Sequence, residues 1–134
     1  MAAFNHIAFN CRDIPTQERF YTKHFGFKRS RVFHAGKPTE FIMLKLGSMR
    51  LELHPTDSLK VSDASAGEQA IGFKHLAFDV PKLEPVIAKL KEDGVTCDAI
   101  VDCAGTIRPG ARVVFFRDLE GNIVELMEGY EDEA

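Results

Sequence analysis

The strongest constraint on this chain is that its sequence is written twice. Residues 4–10 read Phe-Asn-His-Ile-Ala-Phe-Asn, and residues 73–79 read Phe-Lys-His-Leu-Ala-Phe-Asp. The shared pattern F-x-H-[IL]-A-F-[ND] sets His6 and His75 69 positions apart. The copies also close alike, with Leu-Glu-Leu at 51–53 and Val-Glu-Leu at 124–126, so that Glu52 and Glu125 lie 73 positions apart. Such self-similarity marks one supersecondary unit used twice. The 134 residues suit one domain, 1–134, made of a module over 4–54 and a module over 73–128. The Pro/Ser/Asp/Gly-rich stretch 55–72 reads as the linker between them.

Within each module the periodicity switches once from two to 3.6 and back. Phe4–Asn10 alternates as a strand. A helix follows, with Pro15 in its first turn and Gly26 as its stop. Phe27–His34, Glu40–Leu46 and Met49–His54 then read as strands, with Gly36 and Gly47 as turns. The second copy repeats the order: strand Phe73–Val80, helix Lys82–Asp93 ahead of Gly94, and strands Val95–Asp102, Arg112–Arg117 and Ile123–Glu128. The expected class is therefore α+β, with βαβββ written twice.

Alternation along a strand decides which way the polar residues point. In the opening strands Ile7 and Phe9, like Leu76 and Phe78, form the large apolar set that packs on a helix. His6 with Ala8, and His75 with Ala77, then face away from it. In the closing strands Glu52 opposes Leu51 and Leu53, and Glu125 opposes Val124 and Leu126. Sheets that curve toward one another would bring His6, Glu52, His75 and Glu125 into one cup. Two imidazoles and two carboxylates suit a divalent ion, because the carboxylates neutralise it and its remaining positions stay open to substrate oxygens. Nickel, cobalt and zinc fit such a mixed set, as do manganese and ferrous iron. A single histidine or glutamate on a strand is ordinarily a hydrogen-bonded or solvated residue. It is the repetition of both types at matching points that singles out these four.

Arg50 and His54 alternate with Glu52 and are candidates to line the same cup against a substrate. Arg108 and Arg112 flank Pro109-Gly110 and are candidates to clamp a substrate carboxylate. The net charge of −3 argues against a nucleic-acid partner. No apolar run reaches the roughly 18 residues of a membrane helix. The N-terminus lacks the pattern of a signal peptide, and Cys11, Cys97 and Cys103 have no C-x-x-C spacing. Together these features point to a cytoplasmic protein with reduced thiols and a small-molecule partner.

At these residues the chain resembles the vicinal oxygen chelate superfamily. That superfamily includes glyoxalase I, methylmalonyl-CoA epimerase, fosfomycin-resistance transferases, extradiol dioxygenases and bleomycin-resistance proteins. The resemblance extends over about residues 4–128. It is carried by the opening strands, by Phe20-Tyr21-Thr22-Lys23-His24-Phe25-Gly26-Phe27, and by Arg117-Asp118-Leu119-Glu120-Gly121-Asn122-Ile123-Val124-Glu125-Leu126. In the last of these Leu119 stands where the family usually has proline. The resemblance implies paired βαβββ modules forming a half-open, cup-shaped barrel around a metal, with the active site often at or near a homodimer interface. The ligand order His6, Glu52, His75, Glu125 is similar to that of bacterial glyoxalase I, which commonly prefers nickel or cobalt. It implies a lactoylglutathione lyase-like metalloenzyme that isomerises a hemithioacetal or related α-hydroxy carbonyl through an enediolate, with Glu125 as base and Glu52 as its counterpart. Where those enzymes hold the glutathione glutamate with an arginine, this chain has Asn10, so the thiol adduct need not be one of glutathione. The other classes within the resemblance are a non-catalytic binding protein of the bleomycin-resistance type, an epimerase or a dioxygenase.

Overall fold

A computed structural model describes residues 1–61 and 71–133. They form β1 (Ile7–Cys11), α1 (Ile14–Phe25), β2 (Lys28–Phe33), β3 (Phe41–Leu46), β4 (Met49–Pro55), β5 (Leu76–Asp79), α2 (Leu83–Glu92), β6 (Val101–Asp102), β7 (Arg112–Arg117) and β8 (Ile123–Glu128). The chain divides into two compact units, Met1–Leu59 and Lys60–Ala134. The linker read over 55–72 falls largely on residues 62–70, outside the described residues, and Pro55 itself closes β4.

In the first unit the sheet runs β1-β4-β3-β2, and in the second β5-β8-β7-β6. In both, the opening strand lies parallel to the closing strand and the other pairings are antiparallel. The sequence repeat is therefore a repeat of topology, α+β twice. Register makes the match closer still. Ala8 lies opposite Glu52, and Ala77 lies opposite Glu125. The small side chain facing each glutamate leaves room for the histidine two residues earlier.

Helix α1 follows from local chemistry. Asp13 caps it by accepting the Thr16 N–H at 3.1 Å, and Pro15 stands in the first turn. Gly26 ends it in the left-handed region at φ 80°. Its N–H donates to the Thr22 carbonyl and that of Phe27 to the Tyr21 carbonyl, at 3.1 and 3.3 Å. The rings of Tyr21 and Phe27 meet edge to face at 5.8 Å across this left-handed glycine stop. Gly26→Ala forces a Cβ into that backbone region and should cost about 1–2 kcal/mol in urea unfolding. A change within error would show that the cap contributes nothing.

Helix α2 lacks a side-chain cap of its own at Lys82. Instead Glu128, from β8, accepts the Leu83 N–H at 2.8 Å. Arg112 ties this end together, bonding Glu84 at 2.8 and 3.0 Å and Glu128 at 2.8 to 3.2 Å. Both carboxylates are consequently held below the usual 4.5, chiefly by Arg112. Their depressed folded-state values give stability that is present above about pH 4.5 and lost as pH falls through those values. Arg112→Gln should flatten the acid limb of a urea-midpoint profile between roughly pH 6 and 3. A limb as steep as that of the native chain would refute the assignment.

The core of each unit lies between helix and sheet. Phe20, Tyr21 and Phe27 pack with Ile42, Leu44, Leu51 and Leu53 in the first, and Leu83 and Leu90 with Val114, Phe116, Val124 and Leu126 in the second. The strand expected over Val95–Asp102 is corrected to Val101–Asp102. The Asp98 N–H does bond the Phe115 carbonyl, at 2.8 Å, but one residue out of step with the Val101–Val113 and Asp102–Arg112 pairs. That slip breaks the ladder. The opening strands also begin later than expected, at Ile7 and Leu76, which leaves His6 and His75 at the mouths of their strands.

Candidate metal centre

In the first unit His6 Nε2 approaches Glu52 Oε1 to 3.1 Å, on the sheet face away from α1. In the second, His75 Nε2 approaches Glu125 Oε1 to 3.2 Å. The carboxylate side chains are 15% and 13% exposed, and the imidazoles 36% and 26%, so both pairs are reachable from solvent. Each module thus assembles one imidazole–carboxylate pair from its first and last strands. Among the described residues of either unit, no three His, Cys, Asp or Glu side chains are grouped to hold an ion.

Within each pair the donor separation is one that two ligands of a divalent ion can have, as well as that of an ordinary imidazole–carboxylate contact. Two ligands about 2.1 Å from one ion and at right angles lie about 3.0 Å apart, close to both observed separations. The Asn5 amide oxygen lies 2.8 Å from His6 Nδ1. An amide oxygen only accepts, so Nδ1 carries the hydrogen that faces Asn5, an arrangement in which Nε2 would be the nitrogen to hold an ion. An outward N–H held by an oxygen is the usual support of a metal-binding histidine. His75 has a different neighbour: Phe115 meets its ring edge to face at 5.4 Å.

Glu52 has a second partner. His54 Nε2 lies 3.0 Å from Oε1 with hydrogen-bond geometry. The His54 ring stacks on Phe41 at 4.2 Å, and Phe41 on Phe33 at 4.3 Å. Arg50 lies on the same strand face as Glu52, opposite Lys45. Arg112 belongs to the other face of its sheet, where Glu84 and Glu128 occupy its guanidinium. Arg108 pairs with Glu131 at 2.6 Å. Met127 and Phe115, beside Glu125, pack on a small apolar cluster of Cys103, Ala111 and Val113. His75 also borders a hollow of about 620 Å³ with Lys74, Thr96, Asp98, Phe115 and Arg117.

Sequence reasoning anticipated the two histidine–glutamate pairs and the facing of Arg50 and His54. It missed Asn5, the residue next to His6, as a partner of that ring, and it missed the stack behind His54, which depends on contacts across strands. It also missed the partners of Arg112, which lie 28 and 16 residues away. No helix among the described residues is long and apolar enough to cross a membrane.

Comparison with known proteins agrees with the fold. A glyoxalase family protein from Enterococcus faecalis superposes with a TM-score of 0.74 and 31% identity, over 94% of this chain and 97% of that one. YwkD of Bacillus subtilis (strain 168) is 26% identical over 136 residues, covering 96% of this chain and 98% of its own length. The fosfomycin resistance protein FosX from Listeria monocytogenes, complexed with Mn(II) and sulfate ion, shares the fold at a TM-score of 0.69 and 16% identity, over 96% of this chain and 93% of that one. The model of one family matches residues 3–126. Duplicated βαβββ topology, matched histidine–glutamate pairs and this match over nearly the whole length together show that the chain belongs to the Glyoxalase/Bleomycin resistance protein/Dioxygenase superfamily.

Proposed function

We propose that the protein is a divalent-metal-dependent lyase or isomerase of the glyoxalase I type. It would act on a hemithioacetal, or a related α-hydroxy carbonyl, in a homodimer. The observation that carries this reading is the recurrence, in both modules, of a histidine Nε2 within 3.1–3.2 Å of a glutamate oxygen. FosX with Mn(II) supplies a precedent for a divalent ion on this fold.

His6 and His75 would hold the ion through Nε2, and Glu52 and Glu125 through carboxylate oxygens. Nickel, cobalt or zinc suits these donors, and manganese or iron is compatible with them. A divalent ion there supplies Lewis-acid polarisation of a carbonyl oxygen. The protein's own part is proton transfer. Glu125 takes the proton from the carbon beside the carbonyl and returns it to the neighbouring carbon, so the reaction is redox-neutral and needs no co-reactant. Arg50, on the face of Glu52, is placed to meet an anionic part of the substrate. The hollow beside His75 is of ligand size and brings Lys74 and Arg117 to its walls.

The test combines metal content with turnover. Protein purified without added metal should carry nickel, cobalt or zinc, and should convert the methylglyoxal–glutathione hemithioacetal when that metal is saturating. No conversion with nickel, cobalt, zinc or manganese would reject the lyase assignment. Ferrous iron together with oxygen uptake on a catechol would replace it with an oxygenase.

A further inference from the structure

We infer that His54 is a positioning residue that pins Glu52, so that the two duplicated carboxylates have unequal freedom: Glu52 is braced by a donor whose counterpart Glu125 lacks. The inference rests on the metal reading above and concerns how its two halves divide the work.

The first pair is held at both ends. Asn5 fixes the His6 ring through Nδ1 at 2.8 Å, and His54 fixes Glu52 through Oε1 at 3.0 Å. An ionised carboxylate only accepts hydrogen bonds, so the His54 nitrogen facing it must bear hydrogen. His54 meets Oε1 with hydrogen-bond geometry, whereas His6 and His75 come near their carboxylates without it, so His54 is read as a donor to Glu52 and the other two as the proposed ligands. Its ring is itself fixed, stacked within 19° of parallel on Phe41, which is stacked within 4° of parallel on Phe33. The three side chains form a row across β4, β3 and β2, because Phe33 pairs with Phe41 in register and His54 follows on the neighbouring strand. A stiff row of rings ends on the Glu52 carboxylate.

The second pair has no such brace. Two residues beyond Glu125, at the place corresponding to His54, stands Met127, which cannot donate a hydrogen bond. Lys74 stands where Asn5 does in the first copy, so no amide oxygen precedes His75. Among the described residues, the Glu125 carboxylate has His75 as its polar partner, with Phe115 directly across the ladder. A base that must leave an ion, collect a proton and return needs this looser setting. A carboxylate that must only hold the ion is better fixed, as outer partners of metal ligands commonly fix them.

The experiment uses the full-length protein and Zn(II) as the probe. Long-range proton–nitrogen NMR of the imidazoles should show His54 as an Nε2–H donor before and after Zn(II) is added. His6 and His75 should shift at Nε2 as zinc binds. His54→Ala should weaken Zn(II) binding about 10–100-fold, while His54→Gln, which keeps an N–H donor, should stay within a few-fold of the native chain. Zinc coordinated by His54 Nε2, or native affinity in the alanine variant, overturns the inference while leaving the metal reading intact. Absence of any zinc response at His6 and His75 overturns the metal reading and the inference with it.

Discussion

Glu125→Gln is expected to lower turnover by about 10²–10⁴-fold while the protein still takes up a divalent ion. The amide has nearly the shape of the carboxylate, so the sheet that presents it, with Val124 and Leu126 fully buried on the opposite face, has no reason to rearrange. What it loses is the ability to accept a proton from carbon. Three of the four proposed donors, His6, Glu52 and His75, remain to hold the ion, with weaker affinity. Steady-state assays at saturating metal, set beside elemental analysis of the same sample, separate the two effects. Glu52→Gln should show the opposite balance, losing more in metal affinity than in the chemical step. Native turnover in Glu125→Gln at saturating metal would remove Glu125 from proton transfer.

Phe27→Ala should cost about 3–5 kcal/mol, a large part of the roughly 5–15 kcal/mol that holds a domain of this kind together. Phe27 is fully buried, and it serves two structures at once. Its backbone N–H closes the stop of α1, and its ring meets Tyr21 at 5.8 Å. Removing the ring opens a cavity where the helix turns into β2, within a close-packed core that relaxes only partly to fill it. Urea unfolding followed by circular dichroism reads the loss directly. A cost below about 1 kcal/mol would show that the site relaxes, as surface positions do.

Much of this architecture was legible from residue order because its signals are local or repeated. Pro15 and Gly26 bracket α1 within one residue of its ends, and β7 and β8 fall on their expected spans. The pairs His6–Glu52 and His75–Glu125 could be named because duplication turns four unremarkable residues into a pattern. Strand parity put His54 on the face of Glu52, and the hydrogen bond agrees with it. What escaped depends on partners distant in sequence. The loss of β6 over 95–100 comes from a one-residue slip against β7, which alternation within the segment cannot register. Arg112 read as a substrate clamp because Pro109-Gly110 suggested an open loop, whereas Glu84 and Glu128 engage it across helix and sheet. The brace behind Glu52 required knowing that Phe33, Phe41 and His54 occupy one row on three strands.

The way each module is closed also bears on how the chain comes into being. Among the described strands β5 pairs only with β8, and the start of α2 is satisfied by Glu128, 45 residues after Leu83. A growing polypeptide therefore cannot finish its second module until β8 has been made, whereas the first is complete by Pro55. Nascent chains cut before Ile123 should carry a protease-resistant first module followed by a digestible remainder, and resistance of the whole should arrive abruptly with the final strand.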